Sequence, residues 1–192
     1  MGRSSDYHFI TNWRVVGSRD DVAAILGDAL DLPRWWPSVY LDVEELAPGG
    51  PAGVGRRIGL FTKGWLPYTL RWSFTVTEAD ALRGFSLQAT GDFVGRGVWR
   101  FEQVGAEVLI TYDWRIEVTR PLLRDLSFIF KPIFSANHRW AMRMGEISLK
   151  LELARRHAAT PEALANIPPP PGPTFAAWLP NRSTTSRVQP AR

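Results

Sequence analysis

Asn137 and His138 are the residues best placed to do chemistry in this chain. They sit in a stretch from Pro121 to about His157 that reads as one long helix. At about 100° per residue, a wheel centred on Asn137 gathers Leu126, Phe130, Ile133 and Phe134 on one side with Trp140, Ala141 and Met144, and continues through Ser148 to Leu151. An amide at the middle of that apolar face could orient a ligand carbonyl or hydroxyl. Its plainer reading is an amide bonded to a neighbouring backbone group or a buried water, as buried polar groups normally are. His138 falls at the edge of the face. It could act there as a general base near neutral pH, or be a boundary side chain met by a strand carboxylate or by water. Tyr112 and Tyr68 have the parity of apolar strand faces, so their hydroxyls need a partner inside or at the rim. Either phenol could serve a ligand, and Tyr112 could carry a proton. Tyr40 falls on the polar phase of its strand and reads as surface.

Other chemistries find little support. The chain has no cysteine, which removes disulfides, thiol nucleophiles and Cys-ligated metals. His8, His138 and His157 show no metal-ligand spacing. No paired carboxylates share an inward parity, and no Ser/His/Asp set accompanies a nucleophile-elbow glycine pattern. Gly91, Gly95 and Gly97 are spread along strands and read as bends that let a sheet curl, not as a phosphate loop. Neither a metal nor a cofactor is indicated.

The elements that must hold Asn137 and His138 are strands. Tyr7 to Val16 reads as the first, followed by a helix capped by Ser18, with Asp20 and Asp21 in its first turn. A second short helical piece, Leu32 to Trp36, is bracketed by Pro33 and Pro37. Val39, Leu41 and Val43 then alternate with polar residues up to the Pro48-Gly49-Gly50-Pro51 break. Val54 to Thr62 follows, then a turn at Lys63-Gly64. Leu70, Trp72, Phe74 and Val76 give the cleanest alternation. Phe85, Leu87 and Ala89 mark the next strand, and Trp99 and Phe101 the one after. The last sets Ile110, Tyr112, Trp114 and Ile116 against polar neighbours. Short connections make this sheet antiparallel, and its apolar, aromatic face needs cover. Only the C-terminal helix is long enough to supply it. A kink is expected at Lys131-Pro132, with the residues before it lying across a cavity mouth.

The fold class read from this order is α+β: a curved antiparallel sheet of about seven strands wrapped around a long C-terminal helix, with two short helices after the first strand. Aromatic side chains supply rigid apolar area suited to a flat or greasy ligand. Trp35 and Trp36 are the candidates for a pocket mouth, with Trp65 as a gate.

Residues 1–6 read as an extension, 7–158 as the domain, and 159–192 as a Pro-rich tail expected to be disordered. Phe175, Trp178 and Leu179 form a candidate docking patch there. Arg182, Arg187 and Arg192 lie beyond the last acid, Glu162, and carry three of the four net positive charges. The domain itself is therefore nearly neutral and lacks the basic face of a nucleic-acid reader. No apolar stretch approaches the roughly 18–20 residues that span a bilayer. The polar Met1 to Asp6 leads straight into a strand, so the chain reads as cytoplasmic.

Three segments carry a resemblance: Leu32-Pro33-Arg34-Trp35-Trp36-Pro37, Lys63-Gly64-Trp65-Leu66-Pro67-Tyr68, and Asn137-His138-Arg139-Trp140 ahead of Met144-Gly145-Glu146. From roughly Tyr7 to His157 the chain resembles the START-like (SRPBCC) superfamily, in its polyketide cyclase/dehydrase branch of small single-domain bacterial members. The resemblance implies a helix-grip fold and a superfamily that binds lipids, sterols, polyketides, hormones or coenzyme-like aromatics, some members of which do chemistry. The expected function is binding of a small hydrophobic or aromatic molecule between sheet and helix. The alternative is a cyclase or dehydrase in which His138 or a tyrosine carries a proton and Asn137 polarises a carbonyl.

Overall fold

Strict alternation of large apolar and polar residues builds the strands, and the structure, a computed structural model, describes residues 6–118 and 127–174, with side chains for 6–117 and 132–174. The elements are β1 (Asp6–Val16), α1 (Arg19–Gly27), α2 (Leu32–Trp35), β2 (Tyr40–Ala47), β3 (Arg57–Lys63), β4 (Thr69–Asp80), β5 (Gly84–Gly91), β6 (Phe93–Val104), β7 (Glu107–Val118), α3 (Ser127–Arg156) and α4 (Pro161–Ala165). The strands form one antiparallel seven-stranded sheet in the order β1-β7-β6-β5-β4-β3-β2. Ser18 caps α1 by accepting from the Asp21 N–H at 3.1 Å.

Cross-strand register brings the inward aromatics into ladders. Trp99 lies directly opposite Tyr112 and Phe85 opposite Trp99. Trp99 and Tyr112 stack with centroids 4.0 Å apart, and Tyr112 continues the stack onto Trp114 at 5.5 Å. Gly91 ends β5 at φ +112°, and a Cβ there would lie 2.8 Å from Trp72 Cα. Only glycine lets the backbone turn this close to its neighbour strand.

Three expectations are corrected. First, Tyr40 faces inward. The β2–β3 register shifts between Tyr40 and Asp42, and such a bulge reverses parity, so Tyr40 joins Val43 against the core. Second, α3 is not interrupted at Pro132, which lies inside a continuous helix. Its buried face is also rotated toward His138 and away from Trp140. Met142, Ser148, Leu149 and Leu153 are buried, whereas Ile133 and Ile147 are each 37% exposed. The wheel counted apolar bulk, but α3 meets the core through the small residues Gly145 and Ser148, which let bulky partners approach.

Third, the chain after Thr160 is not a free tail over its described part. Thr160 caps α4 by accepting from the Ala163 N–H at 3.1 Å. Arg155 then donates to the Pro168 carbonyl, and Thr174 reaches the turn after β3 with Oγ1 3.3 Å from the carbonyls of Gly64 and Trp65. Residues 168–174 thus form a strap. The patch of Phe175, Trp178 and Leu179 lies outside the described residues, as does the segment expected across the cavity mouth before Ser127.

Candidate functional site

Between the sheet's inner face and the helices lie two apolar lobes that share a wall of Trp36, Tyr40, Trp72 and Tyr112. The α1 lobe, about 190 Å³, is bounded by Leu26 and Ala29 on one side and by Phe74, Phe85, Leu87 and Trp99 on the other. The α3 lobe, about 130 Å³, lies between Leu70 and Trp114 of the sheet and Phe134, Asn137, His138 and Ala141 of α3. Each is smaller than the ~300–1,000 Å³ of common ligand sites, and together they reach the lower end of that range. The position of the shared wall therefore sets how large an occupant can be.

Polar groups are unevenly divided. The α1 lobe is almost wholly apolar apart from Arg56 and Asp80. The α3 lobe carries Thr62, Lys63, Tyr68, Asn137 and His138. The Asn137 Oδ1 accepts from the Leu66 N–H at 3.3 Å, and a Cβ on Gly64 would fall 2.1 Å from that oxygen. The amide therefore pins the β3–β4 turn while lining the lobe. Thr62 accepts from the Trp72 indole at 3.0 Å. The His138 ring stacks on Phe9 with centroids 4.1 Å apart, and its buried Nε2 has no hydrogen-bond partner among the described residues. The Trp36 indole N–H is buried in the same condition. Burial, with Arg139 nearby, lowers the His138 pKa to about 4, so the imidazole is neutral at pH 7. Burial likewise raises the phenols of Tyr40 and Tyr112.

A lowered histidine pKa has a definite sign in stability. The unfolded chain takes the proton first, so acidification from about 6.5 toward 4 weakens the native state through His138. His138→Phe keeps the ring against Phe9 and removes the titration. Urea midpoints at pH 7 and pH 5 will therefore fall less in the variant than in the parent. An equal fall in both would show that His138 is not buried as described.

Most of the residues singled out from sequence converge here. Phe74, Phe85, Leu87, Trp99 and Phe101 line the α1 lobe. Tyr68, Trp114, Phe134, Asn137 and Ala141 line the α3 lobe, and Trp36, Trp72 and Tyr112 line both. Three do not fit the expectation. Trp35 is fully buried behind Trp36 in the core, and Trp140 and Met144 line neither lobe because α3 is rotated. The side chain of Phe130 lies outside the described residues. Trp65 is 36% exposed in its turn.

Parity missed Lys63 and Tyr40. For Tyr40 the cause is the bulge. Lys63 stands at the end of β3, and its cover comes from Thr174, a contact between residues too far apart for any local pattern to register. The other histidines are accounted for on the surface, His8 with Asp113 at 2.9 Å and His157 with Asp21 at 3.0 Å. No helix among the described residues is long and apolar enough to cross a membrane.

No protein-family model matches the chain, and no curated protein matches it. Solved structures do. The protein TTHA0849 from Thermus thermophilus is similar at a TM-score of 0.63 and 16% identity, over 79% of this chain and 99% of that one. The Zhui aromatase/cyclase from Streptomyces sp. R1128 is similar at 0.63 and 17% identity, over 80% and 97%. Norcoclaurine synthase from Thalictrum flavum, solved with dopamine and hydroxybenzaldehyde, is similar at 0.55 and 17% identity, over 81% and 90%. The chain has the START-like helix-grip fold, a curved seven-stranded antiparallel sheet closed by a long helix. These likenesses concern the backbone, and function rests on the cavity itself.

Proposed function

We propose that this protein binds a small, flat, mainly apolar molecule between the sheet and the helices, its apolar body in the α1 lobe and its polar end in the α3 lobe. The observation that carries this reading is a cavity walled by aromatic rings in which the His138 Nε2 and the Trp36 N–H are buried without partners among the described residues. Buried polar groups are nearly always bonded, so a bound molecule with matching groups is the natural complement. Apolar burial would supply affinity at roughly 25 cal/mol per Å², and the polar end would set orientation. A second reading, cyclisation or dehydration of a polyketide-like substrate, draws on the aromatase/cyclase likeness. His138 at about 4 is a weak base for it at neutral pH.

Native mass spectrometry of gently purified protein, with tryptophan quenching by a panel of hydroxylated naphthalenes and anthracenes, tests the binding reading. Either a co-purified mass lost on denaturation or saturable quenching is expected. Ala141→Phe places a ring in the α3 lobe and should weaken binding at least ~10-fold, about 1.4 kcal/mol. A clean apo mass together with no quenching by any compound would remove the proposal.

A further inference from the structure

Tyr112 stands in the wall that the two lobes share, at the middle of the cavity. Its ring is held by stacking on Trp99 at 4.0 Å and on Trp114 at 5.5 Å, which fixes where its hydroxyl lies. That oxygen sits over Gly97 on the neighbouring strand. A Cβ on Gly97 would stand 2.9 Å from the Tyr112 Oη and from Trp114 Cε3, and 3.0 Å from Leu87 Cδ1. Gly97 has no positive φ, so the space it leaves, and not its backbone freedom, is what the hydroxyl uses. Tyr40 lies in the same wall, its ring edge-on to Trp36 at 5.1 Å. Neither hydroxyl has a hydrogen-bond partner among the described residues. Burial raises both phenols, and Tyr40 adds to the effect at Tyr112, so both keep their protons at pH 7. Phenylalanine would fill either position without burying an unmatched hydroxyl.

We propose that Tyr112, with Tyr40 beside it, donates to a carbonyl oxygen at mid-length of the cavity ligand, so that the protein takes aromatic ketones in preference to the parent hydrocarbons. This deepens the binding reading and rests on it. A carbonyl oxygen has two lone pairs and no proton of its own, so one such atom can accept from both phenols. The groups around the wall are biased the same way. The Trp36 N–H can only donate, and it is buried without a partner among the described residues. Asn137 spends its oxygen on the Leu66 N–H, which leaves its amide N–H groups. Trp72 already donates to Thr62. A ligand hydroxyl would have to place its own proton among these donors, whereas a carbonyl meets them with lone pairs alone.

The test is equilibrium dialysis of the full chain at pH 7 against fluorenone and against fluorene, which share one ring skeleton and differ in the carbonyl. Wild type is expected to bind the ketone about 10-fold more tightly. The infrared carbonyl stretch of bound fluorenone should lie below its position in hexane, as hydrogen bonding requires. In Tyr112→Phe the ratio of the two affinities should fall to about one and most of the infrared shift should disappear; Tyr40→Phe should lower both in part. Equal affinities in wild type, or a carbonyl stretch unchanged from hexane, overturn the Tyr112 assignment and leave the cavity reading standing, and neither result needs a variant to fold. A preference that survives in Tyr112→Phe also overturns it. Binding of neither compound overturns the assignment and counts against the cavity reading itself.

Discussion

Gly145→Ala is expected to destabilise the protein, although alanine is the better helix former. In an exposed helix this change gains up to ~1 kcal/mol. At Gly145 the new Cβ would stand 2.3, 2.5 and 2.6 Å from Cζ2, Cη2 and Cε2 of Trp36. Trp36 cannot retreat, because Trp13 and Trp35 hold it at 5.5 Å and Tyr40 at 5.1 Å. Overpacking of this kind costs about 1–3 kcal/mol, so the net change is a loss of up to ~2 kcal/mol. Gly145→Leu adds three further carbons at the same point and should lose ~3 kcal/mol or more, a large share of a ~5–15 kcal/mol stability. Because Trp36 belongs to the wall between the lobes, the alanine variant should also weaken ligand binding. Urea unfolding decides the matter: a midpoint that rises in Gly145→Ala would show that α3 does not rest on Trp36.

Removal of Arg34 should produce a loss of similar size with a different signature. Glu152 is 3% exposed on α3 and receives both Arg34 nitrogens, at 2.8 and 2.6 Å, with Arg156 at 3.3 Å. Arg34 is held from its other side by Asp31 at 2.7 and 2.6 Å. This clasp ties α2 to α3. Burial by itself would raise the Glu152 pKa, yet Arg34 and then Arg156 bring it below the ordinary value of 4.5. A carboxylate depressed in the fold contributes stability that is complete above about 4.5 and is lost as pH falls through its folded value.

Arg34→Leu leaves burial as the dominant influence, so the sign inverts and an ionised Glu152 opposes folding at neutral pH. Breaking a buried pair from one side costs about 3–5 kcal/mol, and the remaining Arg156 should hold this case to ~2–4 kcal/mol. The deficit against wild type should narrow between pH 7 and pH 5, and Glu152→Leu in the same chain should restore most of it. A deficit independent of pH would mean that Arg34 acts by packing alone.

Gly145 and Arg34 also show where local pattern stops being informative. A helix wheel gives glycine no weight and assigns charges an outward position. At Gly145 and Glu152 the core is therefore entered by residues the wheel would have set aside. The strands were legible because a period of two survives wherever one face is buried, and the aromatic inner face from Trp72 to Trp114 follows from that period. Tyr40 escaped because a single bulge shifts the phase, and Lys63 escaped because its cover arrives from Thr174.

By itself the sequence determined the element order, the sheet's inward face, and the placing of Asn137 and His138 on a helix that covers that face. Those are matters of periodicity, capping and turn chemistry, which act over a few residues. Only the tertiary structure decided the rotation of α3, the division of the cavity by Trp36, Tyr40, Trp72 and Tyr112, the neutral state of His138, and the enclosure of Lys63 by the strap. Each of these depends on how closely residues distant in the chain can approach, and that distance is set by packing and desolvation across the whole core.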